Sequence, residues 1–206
     1  MERTQSAPRS YTTWIIVAII VIVGVMAVTT YNSLVQLDQA VQAQWGQVQN
    51  VYQRRADLVP NLVATVKGAA NFEKSTYIAV AQARASVGQI SPQTVQNATS
   101  DPQAFSQYEH AQDNLSSALS RLLVVVENYP QLKSNENFLT LQSQLEGTEN
   151  RIAVERRRYN EAAQAFNTKR NTFPTVMFAG MFGSRFQSKA YFQATPGAQT
   201  APQVNF

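Results

Sequence analysis

The chain contains no cysteine and a single histidine in 206 residues. Disulfides, thiolate metal sites and cysteine nucleophiles are therefore excluded. Charge is scarce as well: 15% of residues are Asp, Glu, Lys or Arg, against about 25% in ordinary globular domains. Gln, Asn and Ala fill the gap, and Gln and Ala are good helix formers. Acidic residues stop at Glu161, whereas Lys169, Arg170, Arg185 and Lys189 follow it. The net charge of +4 is modest, no nucleic-acid module is recognisable, and a nucleic-acid partner is not expected. The lone His110, in "YEHAQD" with Glu109 and Asp113, lacks the second histidine at helical spacing that a metal site needs. It reads as a surface residue. No cofactor, metal or small-molecule substrate is expected.

One long apolar run stands out. Residues 14–28, "WIIVAIIVIVGVMAV", contain no polar side chain. With the flanking Thr and Tyr residues about 20 residues are available, enough for the ~30 Å hydrocarbon layer. Tyr11, Trp14 and Tyr31 suit the interfacial aromatic belt. A cleaved signal peptide competes with this reading, because "VMA" ending at Ala27 resembles a cleavage site, but that tripeptide lies inside the apolar run without a polar region before it. Arg3 and Arg9 precede the run, and the next cation is Arg54. The positive-inside rule places residues 1–12 in the cytoplasm, the span at 13–30 and the remainder across the membrane.

The rest of the chain has helical periodicity throughout. Leu34, Leu37, Val41, Trp45, Val48, Tyr52, Val59, Leu62 and Val66 recur at spacings of three and four, so the membrane helix is predicted to continue unbroken to Gly68. A second helix is predicted from Asn71 to Gly88. Ser91-Pro92 and Asp101-Pro102 each pair a capping residue with proline at the first helical position. A third helix, ending near Asn128, carries Phe105, Tyr108, Leu115, Leu119, Leu122, Val126 and Tyr129. A fourth, from Ser134 or Asn135 to Asn171, carries Phe138, Leu141, Leu145, Ile152, Tyr159 and Phe166. Four amphipathic helices bury their stripes best as an antiparallel bundle, here residues 31–171 of an all-α protein. At ~1.5 Å per residue the second helix is about half as long as the first and fourth. The bundle should therefore be thinner near the bilayer.

"NVYQRRADLVPNLVATVKG" places charges and a proline inside the first helix. Helix four runs antiparallel to it, which should bring Glu146 and Glu149 to the level of Arg54, Arg55 and Asp57 as an interhelical cluster that sets register. A catalytic cluster would need a nucleophile and base, and none is near. Pro60 should bend the helix and free the carbonyl of Ala56. "VERRRYNEA" interleaves glutamates with arginines, as a solvated helix face does.

"YNSLVQLDQAVQAQWGQVQNVYQRRADLVPNLVATVKGAANFEKS" resembles the signature region of the LemA family. "LEGTENRIAVERRRYNEAAQAFNTKRNTFPTVMFAGMFGSRFQSKAYF" is similar to that family's C-terminal half. The likeness runs from about Tyr31 to Phe192. It implies a membrane-anchored bundle of long antiparallel helices, and it brings no established enzymatic activity; with the orientation read from the cations, the expected location is the bacterial cytoplasmic membrane with the bundle on its outer side. Relatives usually carry Ser at Gly46 and an acid near Gln49 or Asn50, so this chain departs from the pattern there.

Residues 172–193, "TFPTVMFAGMFGSRFQSKAYF" with its flanks, fall outside the helical stripes. Phe173, Phe178, Phe182, Arg185, Phe186, Lys189 and Phe192 combine apolar and cationic groups. They could meet lipid headgroups, collar the open lower end of the bundle, or contact another subunit. Residues 194–206 have the composition of a disordered tail, with Phe206 as a possible docking handle. The function class that results is a non-enzymatic, single-pass membrane protein presenting a bundle as an interaction or scaffold module, self-associating or bound to other envelope membrane proteins. The alternative is a regulatory adaptor of a membrane-bound protease or envelope-stress system, which genomic association within the family suggests. An enzyme would need a polar pocket with perturbed titrating groups.

Overall fold

A computed structural model describes residues 9–68 and 72–193. Arg3, the expected helix cap Asn71 and the tail with Phe206 lie outside the described residues. Everything described is helix, turn or short extended segment, with no strand among the described residues.

Helix α1, Arg9–Lys67, spans 59 residues without interruption. Its apolar N-terminal part is long enough to cross a membrane, and none of it is buried in the bundle. Burial begins at Thr30 and then follows a strict beat of four and three: Leu34, Asp38, Val41, Trp45, Val48, Tyr52, Arg55, Val59, Leu62 and Val66 are all buried. This is the repeat that keeps one seam of a helix facing its partners over many turns. Asp38, and not Leu37, occupies the first internal beat. Leu37 is half-buried beside it.

Helix α2, Lys74–Gly88, descends beside α1. Helix α3, Pro92–Asn97, is capped by Ser91, whose Oγ accepts from the Thr94 N–H at 3.1 Å. Helix α4, Pro102–Val126, is capped by Asp101, whose Oδ1 accepts from the Gln103 N–H at 2.8 Å. A single turn, α5, Pro130–Lys133, then leads to α6, Glu136–Asn171. Asn135 caps α6 by accepting from the Phe138 N–H at 3.1 Å. Helix α6 packs along α1, and α2 packs along α4. Beyond α6 come α7, Thr175–Ala179, and a short 3₁₀ turn, Gly183–Phe186, entered by Gly183 at φ 73°. That left-handed backbone favours glycine.

The core divides into two apolar clusters. One, at the membrane end, centres on Leu34, Trp45, Tyr52, Phe105, Ile152, Tyr159 and Phe166. The other, at the far end, centres on Val59, Leu62, Leu115, Leu122, Phe138 and Leu145. The membrane end is thickened where short α2 leaves room. The indole N–H of Trp45 donates to the Val95 carbonyl at 3.0 Å, and Gln42 donates to the Thr99 hydroxyl at 2.6 Å, which ties the α3 region to α1.

Candidate functional site: a buried arginine layer and the membrane end of the bundle

The two apolar clusters are separated by a polar layer. The beat of α1 reaches Arg55 there, that of α4 reaches Gln112, and that of α6 reaches Thr148. Each replaces an apolar residue, and all three are buried. Arg55 has no solvent exposure at all. Its Nη1 donates to Glu149 Oε1 at 2.9 Å and also to the Ser116 hydroxyl. Its Nη2 donates to the Gln112 carbonyl at 3.1 Å and to Gln112 Oε1 at 2.6 Å. Its guanidinium also lies 5.1 Å from the centre of the Tyr52 ring, a cation–π contact. The Nε of Arg55 has no hydrogen-bond acceptor. Three helices thus converge on one cation. The arrangement resists sliding of α4 or α6 along α1, because a shift of one turn would strand a buried charge.

The other members of the sequence-derived cluster lie on outward faces. Arg54 is exposed and makes no ion pair among the described residues. Asp57 accepts from Gln53 at 2.8 Å, and Glu146 accepts from Gln142 at 2.9 Å, both one turn away on their own helices. Only Arg55 and Glu149 meet across the bundle.

Pro60 sits inside α1. Proline has no N–H to give to the carbonyl four residues back. That carbonyl, Ala56 O, instead accepts from Arg84 Nε on α2 at 3.0 Å. A cation on a neighbouring helix therefore satisfies the group the proline frees.

A second ionic arrangement lies one turn towards the membrane. Arg156 on α6 donates to the Tyr52 hydroxyl at 2.7 Å and to Asp113 on α4 at 2.6 Å. Burial disfavours its charge, yet Tyr52 and Asp113 more than compensate and hold Arg156 protonated. Burial pushes the phenol of Tyr108 up to about 12 and raises those of Tyr52 and Tyr159 further. All three stay neutral at physiological pH. Glu109 is also raised, first by burial, with Asp113 adding to the effect and the Gln193 N–H opposing it.

The C-terminal segment closes the membrane end. Residues 187–193 run extended along α6, held by two asparagines seven positions apart. Asn167 accepts from the Lys189 N–H at 2.8 Å and donates to the Lys189 carbonyl at 2.9 Å. Asn160 does the same for Phe192, at 2.9 and 3.0 Å. Each amide side chain thus mimics one rung of a sheet. Phe192 enters the aromatic cluster of Trp45, Phe105 and Tyr159, with ring centres 4.8–6.0 Å away. Lys189 is buried, its Nζ 2.6 Å from Asp38 and 4.9 Å from the Phe166 ring centre. Asp38 thus fills its beat on the seam of α1 with the counter-ion of the strap. Phe186 is buried against Tyr31 and Phe166. Phe182 is half-buried against Tyr31, and Arg185 donates to the Tyr31 hydroxyl at 2.8 Å. Phe178 is half-buried, whereas Phe173 is exposed. So Phe186, Lys189 and Phe192 pack into the bundle, and Phe173 does not.

Pattern reading missed Asp38, Gln112, Asn160 and Asn167, and it placed Arg156 on a solvated face, whereas that side chain turns inward to Tyr52 and Asp113. The first two are detectable as polar residues on the beat of an otherwise apolar seam. The asparagines carry no local signal, because their partner is a backbone segment more than twenty residues away. Among the described residues no three His, Asp or Glu side chains converge to hold a metal ion.

The architecture defines a class: a helical bundle carried on a long helix whose N-terminal part is apolar enough to span a membrane, and therefore a membrane-associated helical protein. The chain belongs to the LemA family, which matches residues 44–206. Among known proteins it is similar to magnetosome protein MamQ 1 and MamQ 2 of Paramagnetospirillum magneticum. Identity to each is 27%, over 82% of this chain and 67% of theirs. It is also 26% identical to magnetosome protein MamQ of Magnetospirillum gryphiswaldense, over 84% of this chain and 70% of that one. Neither the family description nor these names carries an enzymatic activity.

Proposed function

We propose that the protein is a non-enzymatic, single-pass membrane protein that presents its bundle as an association module, through self-association or by holding other envelope proteins. One observation carries this reading: α1 runs as a single helix from the exposed apolar segment into the bundle, and the arginine layer then fixes the neighbouring helices on it. The relatives are named for the magnetosome, and a role in organising proteins at a membrane is in line with that. On this reading residues 1–12 face the cytoplasm and the bundle lies outside the cytoplasmic membrane. The charged cluster works as a register device, with Arg55 and Glu149 at its centre. Mass measurement of the full chain in lipid nanodiscs tests self-association, which predicts one discrete assembly larger than a monomer. A monomer that also captures no envelope protein from its own membrane would sink the proposal. Orientation is tested with Ser91→Cys, the only thiol in the chain: labelling by an impermeant maleimide in cells with a permeabilised outer barrier is expected, and protection until lysis would invert the topology.

A further inference from the structure

Helix α7 divides into two faces. Thr175 and Ala179, four apart, are buried against the bundle. Phe173 just before the helix, Met177 within it and Met181 just after it are all open, with relative exposures of 74%, 65% and 79%. Val176 beside them is exposed as well. An apolar line this open beside a packed core needs a physical explanation, and its height in the molecule supplies one. Helix α7 packs on α1, and the next residues flank Tyr31, with Phe182 5.2 Å from its ring centre. Thr30 is the first buried residue of α1. Twenty residues at ~1.5 Å each cover the ~30 Å hydrocarbon core, and counting back from Thr30 the twentieth is Tyr11. Tyr11 opens that interval and Tyr31 directly follows it, tyrosine being a residue of the membrane–water boundary. Thr30 and α7 therefore stand at the edge of the hydrocarbon, level with the headgroups.

Charge agrees with that position. Lys169 and Arg185 are exposed on either side of α7 in the sequence, and no Asp or Glu occurs between Glu161 and the end of the described residues. Large flexible apolar side chains flanked by cations are what an anionic lipid surface selects.

We infer that α7 is a membrane foot, with Phe173, Met177 and Met181 inserted into the boundary of the bilayer beside the span. This rests on α1 being the span. The foot gives the bundle a second, off-axis contact with the lipid, so that its tilt and rotation about α1 are fixed. The partner of the face is the lipid surface, and α6 and α1 brace the foot from behind.

The test uses the lack of native cysteine. Single-cysteine variants Met177→Cys, Met181→Cys, Ile19→Cys and Ser134→Cys of the full chain are labelled with an environment-sensitive fluorophore. They are reconstituted in phosphatidylcholine–phosphatidylglycerol vesicles with and without brominated acyl chains. Positions 177 and 181 should lose emission to brominated lipid, as position 19 does, while position 134 at the far end keeps it. Quenching at 19 with 177 and 181 behaving like 134 would overturn the foot and leave the span standing. An apolar emission shift at 177 without lipid quenching would also overturn it, because the face would then be covered by protein. No quenching at 19 would remove the span reading and the foot together.

Discussion

The arginine layer makes an unusual prediction: the more exposed partner is the more damaging to remove. Arg55 has no exposure, whereas the Glu149 side chain retains 36%. Replacing Glu149 with Ala leaves a buried guanidinium without a counter-ion, and breaking a buried pair in this way costs about 3–5 kcal/mol. Solvent reaches the pair through Glu149, which places the expectation near the lower end, about 3 kcal/mol. Replacing Arg55 with Met removes the charge and keeps most of the volume. Glu149 then stays hydrated, and the loss falls mainly on Gln112, whose buried side-chain and backbone oxygens give up their donors, with the Ser116 hydroxyl and the Tyr52 ring also losing contact, about 1–3 kcal/mol. The double variant should match Arg55→Met alone, because Glu149 matters only while the cation is present. At roughly 2–4 °C per kcal/mol for a chain of this size, Glu149→Ala should melt about 6–12 °C below the parent. The assay is loss of helical circular dichroism on heating the full chain in mild detergent, where the span stays helical and the bundle gives the signal. A shift of Glu149→Ala within about 2 °C, the range of an ordinary surface substitution, would show that Arg55 does not depend on its counter-ion. So would an Arg55→Met variant less stable than Glu149→Ala.

Other consequences can be measured independently. Pro60→Ala should stabilise the bundle by about 1–3 kcal/mol. Arg84→Met should cost about 0.5–1.5 kcal/mol in the parent and less beside Pro60→Ala, so a double-mutant cycle of melting free energies should show coupling between positions 60 and 84. Asp38→Asn should release the C-terminal strap, because Lys189 is then buried without its counter-ion. Trypsin cleavage after Lys189 should accelerate about tenfold or more, corresponding to ~1.4 kcal/mol of lost protection. Glu109 has a raised pKa in the folded state, so the folded chain binds this proton more tightly than the unfolded chain does. Its contribution is fully present below the ordinary carboxylate value of about 4.3 and is lost as pH rises through the raised folded value. Glu109→Gln should therefore gain melting temperature over the parent as pH climbs above about 4.3 and then level off. A flat difference across that range would contradict the assignment.

The helices were legible because their stripes are long and regular. Phe138, Leu145, Ile152, Tyr159 and Phe166 recur every seventh residue, and all five are buried. The caps at Ser91, Asp101 and Asn135 were legible because short polar side chains before a helix have one common use. The charged cluster was legible only in part. Depth alone groups Arg54, Arg55 and Asp57 together, but a helix turns about 100° per residue, so neighbours in sequence face different ways. Counting the beat of α1 selects Arg55 and Asp38 and rejects the other two, and the same counting along α4 selects Gln112. The satisfaction of Ala56 by Arg84 was not legible, since nothing local links residues 28 positions apart. Nor was the strap: Asn160 and Asn167 read as ordinary helix-surface residues until the extended chain lies across them. The Phe-rich segment looked uniform in sequence and proved divided, because the fold buries Phe186 and Phe192 and leaves Phe173 in the open.

On the proposed function the bundle holds other protein at the membrane. Photo-crosslinking in the native membrane tests it most directly, with a benzophenone amino acid placed at Val124 and Leu139. Both are exposed apolar positions, and they flank a groove of about 450 Å³ at the far end of the bundle. These positions should give a discrete adduct of defined mass, containing either a second copy of this chain or one envelope protein. Absence of any protein adduct from the bundle, with the probe at Ile19 in α1 still crosslinking to lipid, would contradict it.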